Sequence, residues 1–210
     1  MNIVVAIDSL KGSLTSLEAG VAIKQGIEKV YPNAGVTIRP LADGGEGTVE
    51  ALTLGMGGRL ENVLVTGPLG KPVNAVYGIL EPLTSNDKKT AIIEMSAAAG
   101  ITLVDEKDRN PLNTTTYGVG EIIKDAIFKG CRHFIVGIGG SATNDGGIGM
   151  LQALGYGFHN KNGMPVLFGA NGLKELKSIT DEEVIPELKE CTFRIACDVN
   201  NTLCGALGCS

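Results

Sequence analysis

The chain has 210 residues, 43% of them hydrophobic, with a formal net charge of -5 and no tryptophan, which suits one large α/β domain or two small ones with a proper core. It carries no block of lysine or arginine, so a nucleic-acid surface has no electrostatic basis, and no apolar stretch reaches the roughly 18 residues of a membrane span. A cytoplasmic protein without nucleic-acid or membrane partners is expected, its first strand beginning directly after Met1.

In chain order, the first apolar, β-branched run, "IVVAI", ends at Asp8 and reads as a buried strand. "TSLE", Thr15 to Glu18, is a capping box that starts a helix with Ala19, Ala22, Ile23, Ile27 and Val30 on one face, closed by Tyr31-Pro32-Asn33. The strand "VTIRPLA" follows from Val36 and ends at Asp43. This is a βαβ unit, so a parallel sheet with a right-handed crossover is expected. "ADGGEGT", Ala42 to Thr48, reads as a glycine turn before a second helix.

From Leu60 to Ile93 the character changes: "ENVLVTG", a "PLGK" turn, "PVNAVYGIL", a polar loop and "TAIIEM" predict strands and a hairpin with little helix. A helix is expected from about Thr116 to Phe128, with Val119, Ile122, Ile123, Ala126 and Ile127 apolar. The strand from His133, "FIVGIGG", then leads to Asp145 and to a helix in "GIGMLQALG". "NKNGMP" reads as a hairpin turn, "DEEVIPEL" as a short acidic helix, and "FRIAC" as a strand ending at Asp198. The expected fold class is α/β in two parts. Residues 1–58 and about 111–155 form a parallel-sheet domain, and residues 59–110 with part of 156–210 form a second mixed, β-rich α/β domain.

Cys131, Cys191, Cys197, Cys204 and Cys209 contain no C-x-x-C pair and are expected to be reduced structural thiols. His133 and His159 lie in or beside strand-like runs and are expected to be structural or solvated.

Thirty glycines in 210 residues is about twice the ordinary usage of roughly 7%, and their clustering at strand ends points to sites lined by backbone. In an open parallel sheet, ligands bind outside the carboxyl ends of the strands, the edge from which the Asp-bearing loops leave if their strands are parallel. "GGSATNDGG" has two readings. Its backbone at Gly139, Gly140, Gly146 and Gly147, with Ser141, Thr143 and Asn144, forms a phosphate cradle, or it makes a tight turn beside a buried helix. The same two readings hold for "ADGGEGT", where Asp43 and Glu46 flank Gly44 and Gly45; two such loops in one chain favour a ligand site.

"GIGGSA" matches G-x-G-x-x-A, but the helix is delayed by "TNDGG" and the ribose-binding acid expected about 20 residues on is missing, which argues against a nicotinamide site. No G-x-x-x-x-G-K-[ST] loop is present. Carboxylates beside a phosphate point to Mg²⁺. Lys11 in "DSLKGS" reads either as a solvated lysine or as the cation that meets a transferring phosphoryl group.

Taken together, "DSLKGSLTSLEA", "PLADGGEGTVEAL", "GIGGSATNDGGIGMLQALG" and "ACDVNNTLCGALG" resemble the bacterial glycerate kinase family of the glyoxylate- and glucarate-pathway type. The resemblance implies ATP-dependent, Mg²⁺-requiring phosphorylation of D-glycerate to 2- or 3-phosphoglycerate. It also implies a flavodoxin-like domain joined to a mixed α/β domain, with the active site in the cleft between them. Asp43 is then expected as catalytic base with Asp198 second, and Lys11 as the cation at the γ-phosphoryl. Metal is assigned to Asp8, Asp145 and Asp198, nucleotide phosphates to the loop from Gly139 to Gly147, and substrate to Ser13, Arg39, Gly44, Gly45 and Glu46. Thr202 follows Asn201 where the family reads proline. Family members run longer, so a C-terminal part that completes the first domain's sheet is expected beyond Ser210. The alternatives are a fragment that only binds nucleotide or anion, paired with a C-terminal fragment or a second copy, and a kinase of another small hydroxy acid.

Overall fold

The computed structural model describes residues 1–10, 13–42, 44–45, 47–85, 87–197, 199–206 and 208. Strand β1 (Asn2–Ile7) and strand β2 (Gly35–Pro40) pair in parallel and are joined by helix α1 (Ser16–Val30). The capping box predicted for α1 is present: the Glu18 amide donates to Thr15 Oγ1 at 3.2 Å, and the Thr15 amide donates to the Glu18 carboxylate at 2.8 Å. The Thr15 amide, joined by the Thr15 hydroxyl at 3.0 Å, holds the Glu18 carboxyl below its ordinary pKa.

The predicted apolar face of α1 is less buried than its periodicity suggests, with Ile23 39% and Val30 69% exposed. Two strands about 4.8 Å apart form a platform narrower than a helix about 10 Å across, so α1 overhangs it. Its close contact runs instead through Ala19 and Gly20, both buried, with Gly20 seated on Ile38.

Helix α2 (Thr48–Gly55) follows, and then strands β3 (Arg59–Thr66), β4 (Pro72–Leu80) and β5 (Lys89–Glu94) as an antiparallel meander. A short helix α3 (Ser96–Ala99), helix α4 (Tyr117–Phe128) and strand β6 (Cys131–Gly137) come next. After helix α5 (Ile148–Ala153), a small hairpin-like pair, β7 (Gly157–His159) and β8 (Ser178–Thr180), brackets the short helix α6 (Ala170–Leu173). Strand β9 (Thr192–Ala196) is the last element described.

The larger sheet has the order β3-β4-β5-β6-β9, with β5, β6 and β9 parallel. The protein is thus mixed α/β, with parallel elements and a β-rich mixed sheet. Strand β6, which the sequence groups with β1 and β2, stands instead between β5 and β9. The reason is the crossover: α4 returns the chain from the end of β5 to a parallel neighbour, the βαβ arrangement. One face of this sheet packs on α3 and α4, through Tyr77, Ile79, Ile93, Ile122, Ile123 and Phe134 among others. The opposite face packs on α2, where Val49 meets Leu80 and Ile92. The "DEEVIPEL" segment is a turn and a 3-10 helix (Pro186–Glu190) rather than an α-helix, since Pro186 is tolerated only in a first turn. Among the described residues, no helix is long and apolar enough to cross a membrane.

Candidate active site

Three segments meet at the carboxyl ends of the parallel strands. The segment 41–48 leaves β2, the segment 137–147 leaves β6, and Ala196 ends β9. They touch backbone to backbone. The Gly139 amide donates to the Gly44 carbonyl at 3.2 Å, and the Ile138 amide donates to the Ala196 carbonyl at 3.4 Å. A Cβ on Gly137 would lie 2.5 Å from the Gly44 oxygen, one on Gly139 2.8 Å from Gly45 Cα, and one on Gly44 2.9 Å from the Ala196 oxygen. Glycine is therefore required for the approach itself, and not only for the turn.

The segment 41–48 is braced by Thr48, whose hydroxyl accepts the Gly44 amide at 3.2 Å and donates to the Gly45 carbonyl at 2.8 Å. The segment 137–147 is bound along one side by the exit from β5. Met95 donates to Gly137, Ala142 to Ala99 and Ile101 to Gly140, each at 2.8 Å. Within it, the Thr143 amide donates to Ser141 Oγ at 3.1 Å, and the two hydroxyl oxygens are 2.9 Å apart. Gly140, Asn144 and Gly146 are exposed, while Gly139, Ser141, Thr143 and Gly147 are half-buried.

Asp145 has a different environment from the one expected of a metal ligand. It is 1% exposed, and both carboxylate oxygens are occupied. They accept the Thr116 amide at 2.9 Å and its hydroxyl at 2.9 and 3.1 Å, the Gly147 amide at 2.9 Å and the Gly149 amide at 3.3 Å. The Thr116 hydroxyl in turn accepts the Met150 amide at 2.9 Å. Asp145 thus ties the starts of α4 and α5 together, satisfying amides that a helix N-terminus leaves without partners.

Asp8 follows β1 at the same edge, where the Ser9 amide donates to its carboxylate at 2.6 Å and the Leu41 amide donates to the Ile7 carbonyl at 2.9 Å. Ser13 is exposed in the turn from Leu10 to Leu14. Arg39 is exposed in β2 opposite Ala6, on the face away from α1, and no described contact joins it to the glycine segments. Lys11, Asp43, Glu46 and Asp198 lie outside the described residues. Among the described residues, no group of three or more His, Cys, Asp or Glu side chains stands together to hold a metal ion.

Sequence reasoning missed Glu94 and Thr116. Glu94 ends β5, is 9% exposed, and accepts the Val49 amide at 2.7 Å and the Ser96 hydroxyl at 3.2 Å. It carries the same signal as Asp8, Asp43 and Asp198, an acid at the end of an apolar run, hidden by reading "TAIIEM" as one arm of a hairpin.

The sequence model of the glycerate kinase family matches residues 3–210. A glycerate kinase of Haemophilus influenzae is 49% identical over 210 residues, covering 100% of this chain and 54% of that protein. The glycerate 2-kinase of Escherichia coli is 48% identical over 210 residues, with the same coverage of 100% and 54%. The crystal structure of a candidate glycerate kinase 2 from Salmonella typhimurium LT2 superposes with a TM-score of 0.89 at 48% identity, over 99% of this chain and 54% of that one. The chain spans about half the length of the relatives it matches.

Proposed function

The chain belongs to the glycerate kinase family, and from that premise we propose that it serves ATP-dependent phosphoryl transfer to D-glycerate. The observation that carries the reading is the meeting of three strand ends through bare glycine backbone, with the Gly139 amide on the Gly44 carbonyl at 3.2 Å. A phosphoryl group and its acceptor must be held together in line, and two backbone-lined loops in contact supply one wall for each.

In this reading the segment from Gly139 to Gly147 holds nucleotide phosphates through its amides, Ser141, Thr143 and Asn144. Lys11 neutralises charge on the transferring group. Asp43 accepts the proton of the glycerate hydroxyl, with Asp198 the second choice. Gly44, Gly45, Glu46 and Ser13 line the acceptor, and Arg39 meets the substrate carboxylate. Asp145 does not fit a metal, because both its oxygens already accept hydrogen bonds. Asp8 fits better, since among the described residues its carboxylate accepts one hydrogen bond, from the Ser9 amide, and Asp8 with Asp198 would hold Mg²⁺. Bound there, the ion would neutralise charge on the phosphates. The name of the E. coli relative, glycerate 2-kinase, favours the 2-phosphoglycerate product.

The test is D-glycerate-dependent ADP formation with Mg-ATP, run beside Lys11→Ala, with the product identified by ³¹P NMR. Turnover that depends on glycerate and is lost in Lys11→Ala is expected. Turnover indifferent to glycerate, or unchanged in Lys11→Ala, overturns the reading.

A further inference from the structure

We propose that Glu94 is the positioning residue for the segment that contains Asp43 and Glu46. Helix α2 begins at Thr48 after Gly47, which enters with φ 89° and has no side chain to cap the helix. The first amides of a helix need acceptors, and a carboxylate is favoured there by the helix dipole. Glu94 supplies one from 45 residues away: it accepts the Val49 amide at 2.7 Å, within the first turn.

From that bond the constraint passes along the chain. Val49 is fixed against Leu80 and Ile92. Thr48, next to it and 1% exposed, holds the Gly44 amide and the Gly45 carbonyl. Gly44 and Gly45 then face Gly137 and Gly139 at the closest approach in the site. Ser96 donates to Glu94 at 3.2 Å, and Met95, between them, donates to Gly137 at 2.8 Å. One carboxylate at the end of β5 therefore sets the separation of the two glycine segments.

The consequence for turnover rests on the kinase reading; the consequence for the fold of segment 41–48 does not. The experiment has both arms. In Glu94→Ala, hydrogen exchange at the Val49 amide should accelerate by at least about tenfold while β3 and β4 amides keep their protection. Glycerate turnover should fall about 100-fold through kcat, with KM for ATP changing little. Glu94→Gln keeps an acceptor at the same reach and should recover most of both effects, whereas Glu94→Asp, a methylene shorter, should behave like Glu94→Ala. This last pair decides the matter if Glu94→Ala does not fold. Unchanged Val49 exchange in Glu94→Ala or Glu94→Asp overturns the proposal, as does Glu94→Gln losing turnover as fully as Glu94→Ala. If the unaltered chain does not turn over glycerate, the kinase reading fails and the exchange arm still decides whether Glu94 holds the segment.

Discussion

The two glycine segments solve one problem in two ways. Each leads from a parallel strand into a helix through a left-handed glycine, Gly47 at φ 89° and Gly147 at φ 78°, and neither glycine has a side chain with which to cap the helix. The segment 137–147 carries its own acceptor, Asp145, and shares it with Thr116. The segment 41–48 borrows Glu94 from β5. A self-contained anchor keeps its loop in shape whatever the neighbouring strands do. A borrowed one makes the loop's position depend on the register of a strand in another part of the chain.

The comparison is broken most directly at Asp145. In Asp145→Ala, buried amides of Thr116 and Gly149 lose their acceptor together with the Thr116 hydroxyl, and the loss of stability should be about 3–5 kcal/mol in urea unfolding. A loss below about 1 kcal/mol would mean that water reaches these donors, and the anchor would not be self-contained.

Next in size is the contact between the segments. In Gly139→Ala, the new methyl meets Gly45 Cα at 2.8 Å, backbone against backbone, so the loops must separate. Overpacking of this kind should cost about 1–3 kcal/mol in stability, and under the kinase reading a displacement near 1 Å should lower glycerate turnover about 100-fold. Normal turnover in Gly139→Ala would show that the contact spaces the strands without serving chemistry.

Much of this was legible before the structure. The Thr15 to Glu18 capping box, the β1–α1–β2 unit, the hairpin of β3 and β4, and helix α4 all rest on contacts local in sequence, which periodicity and turn residues report. Both glycine segments were legible as turns at strand ends for the same reason. The neighbours of β6 were not, because an apolar run such as "HFIVGI" has the same appearance whichever strand it pairs with. Asp145 looked like a metal ligand because its partner Thr116 stands 29 residues away. Glu94 was hidden by an unseen second neighbour: β5 pairs antiparallel with β4 as the hairpin pattern indicates, and its parallel pairing with β6 on the other side brings Glu94 to the ligand edge. The exposure of Ile23 and Val30 was also out of reach, since helical periodicity shows which face is apolar but not how wide the sheet beneath it is.

The smallest expected effect sharpens the same contrast by reversing its sign. Gly26 sits in the exposed interior of α1, and a Cβ there would meet nothing within 4 Å. Gly26→Ala removes backbone freedom from the unfolded chain at a site already helical, so it should raise stability by about 0.5–1 kcal/mol. Urea unfolding of Gly26→Ala and Gly139→Ala side by side compares one added methyl in two settings. A gain at the first and a loss at the second would assign the cost at Gly139 to the facing backbone of Gly45. A loss at both would place the sensitivity in the chain's glycines generally, and would remove the argument that the close approach of the two segments is what selects glycine there.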